Sequence, residues 1–379
     1  MRKSRHSYAF IVIVIILLLS GIHIHVYNNK FTTGGERYGF IHRALDLKSI
    51  NLKTGPLLVT LVTYARSGSS FVGNLLRINK NVFYIFEPLH FLNTFGLNDL
   101  HYFDNKTRTF ETEEEAKQFI IRQTLTCNFL DLPLEYWSGF FNDCGIQGHQ
   151  LCEFFYHYRK ERINRLSSPV KFKNVLLNLQ KKCELSKTVI IKTIRAPLHL
   201  MKPLLIGLSN LKVIHLVRDL RATILSQKFI FKRNAGTTET FCQDVLHDIE
   251  TFNYLNLTYP GKLYRLVLED LAMNPLPVTK TLYAFSNLIF SDYVVAVVKR
   301  MTLFNVTVKT KGLRSFIPPS KAYSWQLANE WRLNCSLEQV IAVDKSCSQV
   351  NEKLGYITVS DESLLRNVSK SLYVNNKRK

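Results

Sequence analysis

The sequence predicts an α/β fold with a mostly parallel central sheet and flanking helices, on three observations. Apolar, β-branched runs recur at Leu57–Tyr64, Val82–Glu87, Thr188–Thr193, Leu211–Val217 and Leu263–Leu268, as strands buried on both faces require. Helical spacing lies between several of these runs, the alternation that parallel strands need for their crossover connections. The first run also gives way to a Gly- and Ser-rich turn and then a helical pattern, a P-loop-like strand-turn-helix phosphate cradle.

The elements follow in chain order. Residues 1–7 carry Arg2, Lys3 and Arg5 and read as a cytoplasmic tail. Tyr8–Val26 contains no acid, Lys or Arg and matches the span of about 20 residues that a bilayer core demands. It predicts one N-terminal transmembrane signal anchor of type II topology, with a cleaved signal peptide as the alternative; no A-x-A-like cleavage site is present. Residues 27–55 are polar and aperiodic, a stem. The folded domain then runs over 56–360. Within it Phe71, Leu75 and Ile78 give the helix after the first strand its apolar stripe. The less regular 91–180 region predicts a long insertion over the sheet edge that shapes an acceptor cleft. Leu337–Leu354 reads as a helix capped by Gly355, and 361–379 as a loose basic tail.

Composition narrows the partners. A chain of 379 residues, 46% hydrophobic and 12% aromatic, is neither a disordered tail nor a multi-span membrane protein. Fifty Lys and Arg against 29 Asp and Glu leave +21, spread along the chain, which points to a polyanionic partner. Five N-x-S/T sequons, at Asn105, Asn256, Asn305, Asn334 and Asn367, fit a luminal chain, where nucleic acid is not met. Seven Cys without a CxxC pair predict disulfides rather than zinc, with one thiol left over and Cys335 the least certain to be paired.

Two strand ends predict anion sites. At Ala65–Phe71, ARSGSSF, Gly68 relaxes the turn, the N–H groups of Ser69 and Ser70 face outward at a helix N-terminus, and Ser67, Ser69, Ser70 and Arg66 add further donors. The G-x-x-x-x-G-K-[ST] pattern of ATP and GTP loops is absent; the bland reading is a Ser-rich cap with a solvated Arg. At Ile214–Gln227, a second buried strand delivers Arg218 to its carboxyl end, and Ser226 follows near the next helix. Asp219 and Arg221 read as a surface pair or a cap.

On RSGSSFVGNLL, VFYIFEPLH, VIIKTIR, VIHLVRDLRA, LEDLAMNP and the series Trp331, Arg332, Cys347, Gly355 and Tyr356, the chain resembles the Golgi carbohydrate 6-O-sulfotransferases of galactose, N-acetylglucosamine and N-acetylgalactosamine, nearest the keratan sulfate galactose branch. The resemblance implies 3′-phosphoadenosine 5′-phosphosulfate (PAPS) as donor, without an obligatory metal. Arg66, Ser67, Gly68, Ser69, Ser70 and Phe71 would take its 5′-phosphosulfate, and Arg218 with Ser226 its 3′-phosphate. It further implies a glycan or glycoprotein acceptor and a Golgi membrane location; a homo-oligomer stays open. Departures from the family pattern stand at Leu220, Gln227, Val267–Leu268, His90, Ala322 and Tyr323.

Sulfuryl transfer needs in-line positioning, cationic clamps and a base. Arg66 is the candidate for stabilising the leaving phosphate and Lys192 for the sulfuryl oxygens, the other reading of Lys192 being a surface residue ending a strand. Glu87 is the leading base, held out of the α region by Pro88. His90 is its competitor, and a structural role for both is the remaining option. The alternative function is a catalytically impaired Golgi nucleotide- or glycan-binding protein that keeps the same fold.

Overall fold

The computed structural model describes residues 55–140, 151, 169–231, 237–303 and 323–374. Its centre is a five-stranded parallel sheet in the order β2-β5-β1-β6-β7. The strands are β1 (Leu57–Val62), β2 (Val82–Phe86), β5 (Thr188–Thr193), β6 (Leu211–Val217) and β7 (Leu263–Val267). A short antiparallel pair, β3 (Leu100–His101) and β4 (Thr107–Arg108), stands apart. Period-two alternation sorts the sheet's side chains onto two faces. Leu58, Val62, Phe83, Ile85, Val189, Ile191 and Val213 join one core cluster, and Val59, Leu61, Tyr84, Ile190, Ile214, Leu216 and Leu266 the other. Each fully buried aliphatic side chain contributes about 1.5–3 kcal/mol, so both faces must be covered.

The first face is covered by part of the expected insertion. The helix Glu113–Leu125 starts at the Thr112 cap, whose side chain accepts from the Glu115 N–H, and sends Ala116, Ile120, Ile121 and Leu125 into the core. Trp137 and Phe129 stack edge to face beside it, 5.5 Å between centroids. The helix Pro169–Glu184 is joined to this layer by the Cys127–Cys183 disulfide. On the second face, Ser69–Arg77 packs so tightly on β2 that a Cβ on Gly73 would stand 2.2 Å from the Tyr84 hydroxyl.

Parallel register decides what meets at the carboxyl edge. Leu61 and Phe86 both align with Lys192, and Val62 aligns with His215. The loops leaving β1, β2, β5, β6 and β7 therefore share one edge, the side on which open α/β sheets bind ligands.

The expectation of a transmembrane helix is corrected. Among the described residues no helix is long and apolar enough to cross a membrane. The longest of them, Thr238–Thr258, carries Glu239, Asp244, Asp248 and Glu250, too many acids for a bilayer core. The 8–26 segment lies outside the described residues, as do the 1–7 tail and all of the stem but Gly55. The signal anchor, the type II topology, the Golgi membrane location and the membrane as a partner all rest on that segment and are not carried further.

The C-terminal part also differs from its reading. In place of one helix over Leu337–Leu354 there are two, Leu337–Ser346 and Ser348–Leu354. They break at Cys347, which is bonded to Cys242; Gly355 caps the second at φ 82°. In 361–374 a helix at Glu362–Arg366 is started by Asp361, and Leu365 and Leu372 are buried. The buried Arg332 donates to the carbonyls of Leu364, Leu365, Asn367 and Lys370. Cys335 is free and buried, and Cys144 and Cys152 lie outside the described residues.

Candidate active site

The cradle is held from within. Ser67 is buried, and its hydroxyl donates to the Tyr64 carbonyl at 2.6 Å and lies 2.5 Å from Thr63 Oγ1. Its hydroxyl thus shapes the turn from within. Arg66 and Gly68 both have positive φ, 67° and 84°, which turns the chain abruptly into Ser69–Arg77. For Arg66 this is a strained conformation. A Cβ on Gly68 would stand 2.7 Å from Leu268 Cδ2, so the turn admits only glycine there. The helix's own bonds begin with Phe71 and Val72 donating to Gly68, which leaves the N–H groups of Gly68, Ser69 and Ser70 at its positive end. Phe71 is half-buried on the β1–β2 core, and Ser70 is exposed.

Arg66, Arg218 and Ser226 come together. Arg66 Nε donates to Ser226 Oγ at 3.0 Å, and Arg218 Nη1 donates to the Arg66 carbonyl at 2.9 Å. Arg218 Nη2 reaches the Ala328 carbonyl at 3.3 Å, while its buried Nε has no partner. Neither guanidinium is in an ion pair among the described residues. Burial lowers the Arg218 pKa, against the opposing charges of Glu269 and Asp219. Two neighbouring arginines, neither ion-paired among the described residues, beside a helix N-terminus, fit a ligand with an anionic group at each end. Gln227 donates to the Ala65 carbonyl at 2.9 Å and braces the same turn. The predicted surface pair is instead a core feature: the buried Arg221 bonds Asp219 and Asp344.

A second cluster stands at the ends of β2 and β5. Pro88 excludes the right-handed α region for Glu87, and the residue adopts φ 50°. Its Oε1 accepts from Lys192 Nζ at 2.6 Å, and its Oε2 from Arg195 Nη1 at 2.6 Å and from the Ile194 N–H at 3.3 Å. Lys192 is 2% exposed, so it is no surface residue. It also lies 4.3 Å from the Phe86 ring centroid. Burial pulls its pKa down while Glu87 pulls it up. His90 is exposed, its pKa lowered by partial burial and by Arg195.

Arg195 and the buried Tyr64, His215 and Asp248 were not singled out from sequence, and Gln227 only as a departure from the family pattern. Asp248 alone left a signal: it interrupts the apolar stripe of Val245, Ile249, Phe252 and Leu255. A cavity of about 310 Å³ is lined by Asp219, Glu269, Trp325, Trp331, Tyr356 and Tyr373 among others. Two of the lining groups, Asp219 and Glu269, are the carboxyl groups whose charge acts on Arg218. Among the described residues no group of three or more His, Cys, Asp or Glu is placed to hold a metal. Ala322 lies outside the described residues.

The chain is similar to known proteins along most of its length. The model of the sulfotransferase domain family matches residues 58–355. Carbohydrate sulfotransferase 1 of Danio rerio is 28% identical over 354 residues, covering 83% of this chain and 81% of the relative. Carbohydrate sulfotransferase 3 of Tetronarce californica is 26% identical over 357 residues, covering 83% and 76%. The similarity is thus shared across carbohydrate sulfotransferases and does not narrow to the keratan sulfate branch. Among solved structures, mouse sulfotransferase SULT7A1 complexed with PAP aligns at 12% identity over 82% of this chain and 88% of that one, with a TM-score of 0.37.

Proposed function

From the premise that the chain belongs to the sulfotransferase domain family, we propose that it transfers a sulfuryl group to the 6-hydroxyl of galactose or an N-acetylhexosamine in a glycan such as keratan sulfate. PAPS use is typical of this domain, and when bound the donor supplies the SO₃ group and a phosphate leaving group. The observation that carries the reading is that the Arg218 guanidinium donates to the backbone carbonyl of Arg66 while the Arg66 guanidinium donates to Ser226, neither being ion-paired among the described residues.

Each group has a task in this reading. Arg66 and the N–H groups of Gly68, Ser69 and Ser70 hold the 5′ end and stabilise charge on the departing phosphate. Arg218 and Ser226 hold the 3′-phosphate. Lys192, 2.6 Å from Glu87, would turn from that carboxylate to the sulfuryl oxygens of the bound donor. Its turn toward them releases Glu87 Oε1, which takes the acceptor's proton as the sugar oxygen bonds to sulfur and the sulfur–phosphate oxygen bond breaks. Arg195 keeps Oε2 in place meanwhile. His90 is the competing base.

The test supplies the full chain with labelled PAPS and a panel of galactose- and N-acetylhexosamine-terminated acceptors, some lacking the 6-hydroxyl. Transfer is expected only where that hydroxyl is present, with Arg66→Ala and Arg218→Ala reduced by about 100-fold or more. Glu87→Gln should lose more activity than His90→Ala; the reverse order moves the base role to His90. Transfer to 6-deoxy acceptors would sink the regiochemistry. Binding of the donor product without any transfer would favour the nucleotide-binding alternative.

A further inference from the structure

Beneath the cradle lies a buried polar network to which the proposed chemistry gives no task. The Tyr64 hydroxyl, two residues before Arg66, donates to Asp248 Oδ2 at 2.9 Å, and His215 Nε2 lies 2.9 Å from the same hydroxyl. A phenol carries one proton, so with that proton directed at Asp248 the imidazole must be the donor. His215 is then neutral and protonated at Nε2, which accords with its buried Nδ1 having no partner. Asp248 Oδ1 accepts from the Leu198 N–H at 2.7 Å.

These bonds connect two loops with different contents. Tyr64 is the root of the cradle, since its carbonyl receives the Ser67 hydroxyl. Leu198 opens the turn three residues after Arg195, whose guanidinium grips Glu87. Asp248 belongs to neither loop. It is 3% exposed on the helix Thr238–Thr258, and the Cys242–Cys347 disulfide fixes that helix two turns earlier. One carboxylate thus spans the end of β1 and the loop after β5.

We propose that Asp248 is a positioning residue that sets the separation of the donor cradle from the Glu87–Arg195 clamp, and so the in-line geometry of transfer. The inference rests on the sulfotransferase reading. Misalignment of reacting groups by about 1 Å costs on the order of 100-fold in rate, whereas the cradle's own contacts with a nucleotide do not pass through Asp248. The distinguishing result is therefore a loss of kcat without a matching loss of nucleotide affinity.

The experiment compares the unmodified chain with Asp248→Asn, Tyr64→Phe and the double variant. It measures kcat, donor KM, binding of 3′-phosphoadenosine 5′-phosphate by calorimetry, and thermal unfolding. Tyr64→Phe keeps the ring against Phe241, 5.7 Å between centroids, and removes only the hydroxyl. Each single variant should lose about 10- to 100-fold in kcat, with nucleotide affinity held within about threefold. The double variant should be no worse than the weaker single one, because both interrupt the same link. Unchanged kcat per folded molecule in both singles, or losses that multiply, would overturn the proposal. Absence of transfer by the unmodified chain would instead overturn the sulfotransferase reading, and the inference with it.

Discussion

His215 shows how far a single side chain's surroundings govern its chemistry. It is fully buried, and desolvation together with the charge of Arg265 pushes its pKa from 6.5 down to about 3. Between those values the unfolded imidazole binds a proton that the folded one refuses, so stability rises with pH across that window and is lost as pH falls through it. At pH 5 the loss amounts to roughly 2 kcal/mol. The fall in Tm between pH 7 and pH 5 should be smaller in His215→Gln than in the unmodified chain; equal falls would exclude His215 as the cause. Residues of this kind were the least legible in the sequence. Arg66 and Arg218 were readable because each lies just after an unbroken apolar run, which fixes its edge of the sheet, and Ser226 because it sits on the helix that follows Arg218. The partners of Glu87 were not, since its ion pair with Lys192 depends on β2 and β5 being neighbours, and strand order has no local signature. Gln227, a departure from the family pattern, proved to be a brace for the cradle carbonyl.

Among elements, the strands were the easiest to read and the terminal helices the hardest. Thr188–Thr193 and Leu211–Val217 have the bounds their apolar runs predict, because polar residues or turns stop the pattern at both ends. The helix at Glu362–Arg366 was missed: Arg332 holds this segment through four backbone carbonyls, an interaction with no periodicity in sequence. The contact between Ser69–Arg77 and β2 permits a direct test. Gly73→Ala would place a methyl 2.2 Å from the Tyr84 hydroxyl, and overpacking of this kind costs about 1–3 kcal/mol, more than the gain of about 1 kcal/mol in helix propensity. A lower urea midpoint is expected, partly restored by adding Tyr84→Phe, which removes the clashing oxygen. If Tyr84→Phe restores nothing, the tight contact is not the source of the loss.

At the scale of the molecule, cross-links and strand order do what local pattern cannot. Disulfides were foreseen as a use for the cysteines, but their pairing was not. Cys242–Cys347 joins residues 105 apart, a loop whose closure removes about 4–5 kcal/mol of unfolded-state entropy. Calorimetry of Cys242→Ser/Cys347→Ser should show a Tm lower by roughly 10 °C; an unchanged Tm would mean that the bond does not restrain the unfolded chain. Strand order has a subtler effect. Because β1 and β6 are adjacent, Arg218 commits one N–H to the carbonyl of Arg66, and the two ends of the nucleotide site share a part. If the proposed nucleotide site is right, a mononucleotide seated on the cradle alone would still sense the guanidinium eight residues before Ser226, and alanine scanning of this edge should read one cooperative grip rather than two separable ones.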